Sequence, residues 1–356
     1  MINIEELLTS AVEKNCSDIH ITVSRPPMIR KNGIMVSLEG YPVLTPEETS
    51  LIVDQLLEDN AEKRSTLQKE GDVDFSYVIN GIGRFRVNAY KQRTSYGIAI
   101  RVLNNEIPTM ASLNLPQSLT ELANKPRGLV LVTGPTGSGK STTLAAMINH
   151  INQTRQGHIL TIEDPIEYLH KHGNCLIHQR EIGDDTPSFS RALRSALRED
   201  PDVILLGEMR DLETIQAAIT AAETGHLVLS TLHTKGAATT VDRIIDIFPS
   251  GQQRQIRIQL ANVLEGVITQ NLVKKADNTG RVLAMEILMM NDAVRHMIRE
   301  EKVHQINSTM QLGIKQGMQP MDYHLASLVK RGSITLEEAQ NNALKQEDLM
   351  RYLALQ

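Results

Sequence analysis

Residues 134–141 read GPTGSGKS and fit the phosphate-binding pattern G-x-x-x-x-G-K-[ST] at every fixed position. The apolar run GLVLVT at residues 128–133 precedes them and predicts a buried strand. A run rich in helix formers, with apolar side chains at helical spacing, begins at Thr142. Because a strand, a glycine-rich turn and a helix follow one another as a P-loop requires, the sequence predicts a site for a nucleoside triphosphate.

The residues of this loop have distinct predicted roles. Its glycines let backbone N–H groups close around phosphate oxygens at the positive end of the following helix. Lys140 is placed to reach the β and γ phosphates, and Ser141 is the predicted Mg²⁺ ligand, so ATP and Mg²⁺ are the expected cofactors. The predicted nucleotide-binding residues of the loop are Gly134, Pro135, Thr136, Gly137, Ser138, Gly139, Lys140, Ser141 and Thr142.

The composition is that of an ordinary globular protein of 356 residues, with 41% hydrophobic and 22% charged residues. This length allows two domains. The net charge of −5 creates no general basic field, and seven Tyr, four Phe and no Trp supply few rings for base stacking. The composition therefore argues against direct binding of nucleic acid.

Two further features concern the cellular compartment. The only cysteines, Cys16 and Cys175, form no C-x-x-C spacing, which excludes a tetracysteine zinc site and argues against a disulfide framework. No apolar run approaches the roughly 18 to 20 residues that span a bilayer, and the acidic, amphipathic start is unlike a signal peptide. We expect a cytoplasmic protein that reaches a membrane only through a partner.

Residues 1–104 are predicted to form a small α+β domain. Two helix-like runs occur there, and three strand-like runs, DVDFSYVI, RFRVNAYKQ and YGIAIRVL, end the segment and favour an antiparallel sheet. Residues 105–126 carry Pro108, Pro116 and Pro126 and no sustained strand, and we predict the linker there.

Residues 127–356 are predicted to form an α/β nucleotide-binding domain. Strand-like runs such as HILTIED, DVILLGE and HLVLSTL alternate with helix-like runs such as LETIQAAITAAE, which is the order of a P-loop core. From about residue 250 the pattern favours a helical region. One apolar helix face is predicted to comprise Ile256, Leu260, Val263, Leu264, Val267 and Ile268.

Two carboxylates at the ends of apolar runs are the candidate catalytic acids. Glu208 ends DVILLGE, as the acid of a Walker B strand does beside a P-loop and Mg²⁺. Glu163 in HILTIED is the candidate general base for the attacking water. The alternative for this second cluster is that Asp164-Pro165 is simply a turn that ends the strand.

Histidines and arginines complete the set of candidates. His226 and His233 lie at the two ends of the run HLVLSTLH and could sense a γ-phosphate, although core or capping roles are the alternative. Arg84, Arg86 and Arg101 lie on or beside strands of the first domain, and period two puts the first two on one face. Such a face could meet phosphate or could be a solvated sheet edge.

Together these motifs resemble the secretion ATPase family, and within it the type IV pilus retraction ATPases. The resemblance covers nearly the whole chain. It is carried by GPTGSGKSTTLAAM at 134–147, TIEDPIEY at 161–168, ALREDPDVILLGEMRD at 196–211 and ETGHLVLSTLHT at 223–234. Near the C-terminus, AVRHMIRE at 293–300 resembles the retraction motif AIRNLIRE, with departures at Val294, His296 and Met297, and GMQPMD at 317–322 resembles a second retraction signature.

The resemblance implies a PAS-like N-terminal domain, a RecA-like ATPase core and a homohexameric ring whose sites lie between the two domains. It implies that Ser141 and Glu208 hold Mg²⁺, that Glu163 activates water and that an arginine among Arg84, Arg86 and Arg101 contacts nucleotide. The ring is expected at the cytoplasmic face of a pilus inner-membrane platform protein, with an accessory retraction ATPase as a further possible partner.

Other functions stay open at this point. An accessory retraction motor is the nearest alternative. Assembly and type II secretion ATPases usually carry a tetracysteine segment and a longer N-terminal region, and neither occurs in this chain. A nucleic-acid motor and a regulatory scaffold that binds ATP without turnover are the alternatives from other classes.

Overall fold

The computed structural model describes residues 2–31, 33–58, 60–103 and 106–355. The chain divides into two compact units. The first runs to Glu106 and takes in Glu167–Leu169, and the second comprises Ile107–Ile166 and continues from His170. The predicted boundary between residues 104 and 105 lies outside the described residues and stays a prediction.

The N-terminal unit contains a six-stranded antiparallel sheet in the order β3-β2-β1-β6-β5-β4. On β5 the alternate side chains of Phe85, Val87 and Ala89 are fully buried, so this face of the strand meets the core. The elements are α1 Ile4–Glu13, β1 Asp18–Ile21, β2 Met28–Lys31, β3 Ile34–Ser37, α2 Pro46–Leu56, α3 Ala61–Glu70, β4 Asp72–Ile79, β5 Gly83–Gln92 and β6 Ser95–Leu103. The predicted α+β domain with an antiparallel sheet is confirmed.

The second unit is built on a seven-stranded sheet in the order β13-β12-β7-β11-β10-β8-β9, parallel except for β13. Up to the last parallel strand, its elements are α4 Gln117–Ala123, β7 Gly128–Thr133, α5 Lys140–Thr154, β8 Gly157–Glu163, β9 Cys175–Glu181, α6 Phe189–Ala196, β10 Val203–Leu206, α7 Leu212–Glu223, β11 Leu227–Leu232, α8 Ala237–Asp246, α9 Ser250–Val263 and β12 Leu264–Lys274. After β13 Arg281–Met289 come α10 Asp292–Arg299, α11 Ile306–Leu312, α12 Met321–Lys330, α13 Leu336–Asn342 and α14 Gln346–Leu355, with short 3₁₀ turns at Val303–Gln305 and Ile314–Gln316.

The central strand β7 is covered on both faces. Leu129 and Leu131 point into one buried cluster, and Val130 and Val132 point into another. A strand covered on both sides reads as a continuous apolar run, which is the pattern of GLVLVT. The predicted α/β class of the second domain is confirmed.

The predicted helix face that ends at Ile268 is wrong beyond Val263. Helix α9 ends there, and the chain turns into the extended conformation at Leu264 to begin β12, which pairs in parallel with β7. Val267 and Ile268 are therefore buried strand residues. A short apolar run fits a buried strand and a helix face equally well, so the run VLEGVITQ alone could not separate them.

Part of the predicted linker is packed into the second unit. It contains α4, whose Leu119 and Leu122 are fully buried against the same cluster as Val130. The added Cβ of an alanine at Gly266 would lie 2.7 Å from Leu122, which shows how closely α4 approaches β12. Residues 107–126 thus include a structural element of the core and do not form a free connection.

The helix that carries the motif AVRHMIRE is α10, and its members divide into inward and outward residues. Val294 and Ile298 are fully buried. Arg295 donates to the carbonyl of Asn262 at the end of α9 and forms an ion pair of 2.8 Å with Glu265, which also meets Lys125. The guanidinium therefore caps the C-terminus of α9 by donating to its last free carbonyls.

The segment GMQPMD attaches α12 to β13. Gln319 exchanges two backbone hydrogen bonds with Ile287, of 2.7 and 2.8 Å. The side chain of Gln319 donates to the carbonyl of Met285, whose N–H donates to His324 Nδ1 at 2.9 Å. This second motif is thus a docking segment on the edge strand.

The burial of His324 predicts a dependence of stability on pH. Burial, with a smaller effect of Arg331, lowers the pKa of His324 to about 4. The unfolded chain has a pKa near 6.5 and takes up the proton first as pH falls, so this contribution to stability is complete above about pH 6.5 and is lost towards pH 4. Between pH 7 and pH 5 we expect a loss of about 2 kcal/mol from this group.

Urea unfolding of the wild type and of His324→Asn at both pH values measures this effect. Asparagine keeps an acceptor for the Met285 N–H but does not titrate. The variant should lose less stability than the wild type over the same interval. Equal losses in the two proteins would contradict the assignment to His324.

Candidate nucleotide-binding site

The P-loop follows β7 and leads directly into α5. Gly134, Gly137 and Gly139 have φ values of +136°, +77° and +89°, and Gly139 is the N-cap of the helix. These left-handed conformations are the reason that glycine is required in the turn. Lys140 is buried and donates from Nζ to the carbonyls of Gly134 and Pro135, at 2.9 and 3.1 Å. The carbonyls of the loop therefore hold the ammonium at the tip of the Lys140 side chain.

Two observations fit this loop to a phosphate chain. Ser138 is only 2% exposed, and its Oγ has no hydrogen-bond partner, so a buried polar atom is left to be satisfied. The ammonium of Lys140 and the N-terminus of a 15-residue helix add positive charge at the same turn. The donor set of residues 134–142 is suited to an anion with several oxygens.

The strand β12 supports the loop from one side. A Cβ at Gly134 would lie 2.3 Å from the carbonyl oxygen of Gln270 and 2.9 Å from Ser138 Oγ. The side chain of Gln270 donates to Thr143 Oγ1 at 2.7 Å, and Thr133 and Thr269 bond to each other at 2.9 Å. The P-loop therefore rests on a hydrogen-bonded layer between β7, α5 and β12.

Glu208 and His233 come together at the ends of β10 and β11. Glu208 is two residues beyond β10, and His233 is the first residue after β11. His233 Nε2 lies 3.5 Å from Glu208 Oε2, and Arg210 Nε lies 2.6 Å from Glu208 Oε1. The Glu208 side chain is 15% exposed, whereas Arg210 is 72% exposed. The largely buried Glu208 carboxylate is thus held between the His233 imidazole and the exposed Arg210 guanidinium.

Glu163 is the last residue of β8 and is partly buried. Its Oε1 accepts hydrogen bonds from Thr161 Oγ1 at 2.7 Å and from Gln179 Nε2 at 3.3 Å. These donors fix the orientation of the carboxylate at the end of its strand. A carboxylate oriented in this way can accept a proton from a water molecule.

The register of the parallel strands brings these groups to one edge of the sheet. Ile162, Leu206, Ser230 and Leu131 are level across β8, β10, β11 and β7. Glu163, Glu208, His233 and Gly134 follow them by one to three residues and share the carboxyl edge. With roughly 4.8 Å between neighbouring strands, Glu208 is about 10 Å and Glu163 about 14 Å from β7 along the edge.

The structure places His226 elsewhere. It precedes Leu227, which pairs with Gly128 at the amino edge of the sheet. A strand of this length separates the two edges by about 20 Å. The ring Nδ1 of His226 lies 2.9 Å from the carbonyl of Ala221 near the end of α7. The grouping of His226 with the P-loop is therefore wrong, because residues at opposite ends of one strand cannot share a site on one edge.

The three candidate arginines lie in the N-terminal unit. Arg86 and Arg101 are direct cross-strand neighbours on β5 and β6, and both are exposed. Arg101 forms an ion pair of 3.0 Å with Asp18. Arg84 is 7% exposed, and it donates to Ser76 Oγ at 2.8 Å. Arg86 and Arg101 are thus available at the surface of this unit, whereas Arg84 is held within it.

Sequence reasoning gave no role to Arg210 or Gln270. Arg210 follows the Walker B acid by two residues, and that spacing was the available signal for its ion pair with Glu208. Gln270 carried no such signal, because the strand on which it lies was predicted as a helix. Within the described ranges, no group of three or more His, Cys, Asp or Glu side chains could hold a metal ion.

Comparison with known proteins assigns this site to a family. The model of the family described as type II/IV secretion system protein matches residues 1–347. The chain belongs to that family. A type IV pilus retractation ATPase, PilT, of Pseudomonas aeruginosa is 47% identical over 96% of this chain and 98% of its own length. A twitching motility protein of Neisseria gonorrhoeae is 49% identical over 96% of this chain and 91% of its own length.

A solved structure agrees with these relatives. A crystal structure of the pilus retraction motor PilT with bound ADP superposes with a TM-score of 0.93 at 49% identity, and the match covers 99% of this chain and 100% of the other. The chain is therefore an ATPase of this family with a PilT-like fold. Nucleotide binding is supported by the ADP in that relative. None of the helices in the described ranges is long and apolar enough to cross a bilayer.

Proposed function

We propose that this ATPase is a homohexameric motor that couples ATP hydrolysis to the retraction of type IV pili, and hence to twitching motility. The observation that carries the proposal is the similarity to the retraction motor PilT along almost the whole of both chains. A fold that many P-loop proteins share does not by itself identify a function. The similarity to PilT, however, extends over both units and over the segments that contain both C-terminal motifs.

In this proposal the P-loop binds the phosphates of ATP. Lys140 and the backbone N–H groups of residues 134–142 hold the β and γ phosphates, and Ser138 Oγ finds its partner there. Ser141 and Glu208 would hold Mg²⁺, whose charge offsets that of the phosphates. Few protein ligands are needed for Mg²⁺ when substrate oxygens complete its coordination.

Glu163 is the proposed general base, and His233 is the proposed reporter of the γ-phosphate. The hydrogen bonds from Thr161 and Gln179 orient the Glu163 carboxylate to take a proton from the attacking water. His233 contacts Glu208, so a change at the γ-phosphate can reach the loop that follows β11. Arg210 contacts the other oxygen of the same carboxylate and can set the position of Glu208.

The ring would place an arginine of the N-terminal domain at a neighbouring nucleotide. Of the three candidates, Arg86 and Arg101 suit this role because they are exposed and adjacent. An arginine from outside the P-loop core stabilises the charge that develops in phosphoryl transfer. The ring would act at a pilus inner-membrane platform protein on the cytoplasmic side, with an accessory retraction ATPase as a further partner.

Pilus dynamics in cells whose only copy carries Glu163→Gln test this proposal. The amide keeps the size of the side chain but removes the base, so nucleotide binding should persist while ATP hydrolysis falls by at least about 100-fold. Cells should retain pili, become hyperpiliated and lose surface motility. Fluorescent labelling of pili and ATPase assays of the purified variant measure the two effects.

Glu167→Gln is the matched control, since it neutralises an exposed carboxylate in the same motif. It should leave hydrolysis and motility near wild type. Loss of pili in the Glu163→Gln cells would assign the chain to pilus assembly, and unaffected pili would remove the pilus assignment. Normal ATP hydrolysis by the purified variant would show that another group is the base.

A further inference from the structure

Glu286 is a buried carboxylate that contacts the N-termini of two helices. It lies on β13 and is 2% exposed. Its Oε1 accepts a hydrogen bond of 2.7 Å from the N–H of Ala237, the first residue of α8. The N–H of Met321, the first residue of α12, lies close enough to the same carboxylate to lower its pKa. One side chain therefore joins two helices that begin at distant points of the sequence.

This arrangement has an electrostatic basis. Each of the two helices has ten residues, and its N-terminus presents free N–H groups and a partial positive charge. Neither helix has a side-chain cap of its own, since Gly236 and Pro320 occupy the N-cap positions. Burial raises the pKa of Glu286, and the N–H of Ala237 opposes that increase. The carboxylate thus accepts from the start of α8 and lies beside the start of α12, and neither helix start has a side-chain cap.

On one side, this contact controls the segment after β11. Only His233 to Gly236 separate the end of β11 from the start of α8. The hydroxyl of Thr240 in the first turn of α8 bonds to the carbonyl of Gly236 and to Thr234 Oγ1, both at 2.7 Å. Because this segment is so short, the position of Ala237 restricts the position of His233 beside Glu208.

On the other side, the contact holds the C-terminal docking segment. Met321 directly follows Gln319 and Pro320, and Gln319 is bonded to Ile287, the strand neighbour of Glu286. Asp322, the next residue, accepts from the N–H groups of Leu344 and Lys345 ahead of α14. Movement at Glu286 can therefore pass through α12 to the last helix.

We propose that Glu286 is a positioning residue that links the His233 end of the nucleotide site to the C-terminal segment 317–322 by holding α8 and α12 together. This inference rests on the proposed role of His233 at the γ-phosphate. It adds a path by which the state of the nucleotide reaches the C-terminal helices. The residue acts through His233 and does not touch the nucleotide.

The test uses the full chain with Glu286→Gln, which keeps the shape of the side chain but removes its charge and one of its acceptor oxygens. Calorimetry gives the Kd of ADP and of a non-hydrolysable ATP analogue. We expect the preference for the analogue over ADP to fall at least about fivefold, with the Kd for ADP changed less than about twofold. In a His233→Ala background, Glu286→Gln should cause no further loss of preference.

Amide hydrogen exchange supplies a second readout, which a purely structural role would not move. In the wild type, exchange at residues 319–323 should differ between the analogue-bound and ADP-bound states, and this difference should vanish in Glu286→Gln. Glu265→Gln is the matched control, because it also neutralises a largely buried carboxylate, on the neighbouring strand β12, but its partners are Lys125 and Arg295. Glu265→Gln should lower stability and leave the nucleotide preference unchanged.

Several outcomes would overturn the inference. They are an unchanged preference in folded Glu286→Gln, equal weakening of both nucleotides, and independent effects of Glu286→Gln and His233→Ala. If His233→Ala alone leaves the preference unchanged, the role of His233 fails and the link fails with it, whereas pilus retraction is tested separately by Glu163→Gln. If Glu286→Gln does not fold, Gly236→Ala takes its place, since the backbone at φ +128° must shift at the start of α8 and should reduce the preference in the same way.

Discussion

Replacement of Lys140 by alanine is expected to abolish ATP hydrolysis and to weaken ADP binding by at least about tenfold. A buried charge-assisted hydrogen bond to phosphate contributes about 1.5–3 kcal/mol to binding, and the loss is greater where charge develops during phosphoryl transfer. The ammonium now donates to the carbonyls of Gly134 and Pro135, so the substitution also removes two contacts within the loop. Calorimetry with ADP and a steady-state ATPase assay measure the two effects.

Lys171→Ala is the control, because it removes an exposed lysine from the β8–β9 connection. It should change neither quantity. If Lys140→Ala bound ADP as tightly as the wild type and hydrolysed ATP, the phosphate site would lie elsewhere in the chain. A circular dichroism melt of each variant confirms that the proteins compared are folded.

The second large effect is expected from Gly134→Ala. The new Cβ would lie 2.3 Å from the Gln270 carbonyl oxygen, which is backbone and cannot rotate away, and φ is +136°. Relief requires that the P-loop move away from β12, at a cost of about 3 kcal/mol or more in the free energy of unfolding. Urea unfolding without nucleotide measures this cost, and ADP affinity should fall together with it.

Gly137→Ala separates the steric contact from backbone strain. Gly137 also has a positive φ, of +77°, but a Cβ there meets nothing within 4 Å. This variant should lose only about 1 kcal/mol, the strain of an alanine in the left-handed region. Similar losses for both variants would mean that the contact with Gln270 does not limit the loop.

The central part of the fold was accessible from sequence because its signals are local. Strand β7 and helix α7 have the predicted bounds, and β11 begins one residue later than predicted. Each joins an unbroken apolar pattern to a turn residue such as Gly225 or a capping residue such as Asp211. Helix α3 was not predicted. Its sequence AEKRSTLQKE buries a single residue, Leu67, and so presents no apolar face.

In the candidate site, too, residues with a local sequence signal were predicted, whereas contacts set by the tertiary fold were not. Glu163, Glu208 and His233 lie at one edge of the sheet, as expected of residues at the carboxyl ends of parallel strands, and their catalytic roles stay predictions. His226 was misplaced because the motif contains both histidines but does not show which end of β11 faces the P-loop. Arg84 is buried and donates to Ser76 Oγ on β4, diagonal to its register partner Val78, and such a contact follows from strand pairing that the sequence of one strand does not show.

The inward and outward division of α10 bears on how such motifs evolve. Val294, Arg295 and Ile298 pack α10 against α9. Selection for stability alone should therefore keep apolar or basic side chains at these positions in homologues, whatever their function. His296, Arg299 and Glu300 are exposed and free of that constraint. The residues that distinguish a specialised task are therefore expected at these three outward positions. A motif score that weights all eight residues equally understates the divergence between paralogues.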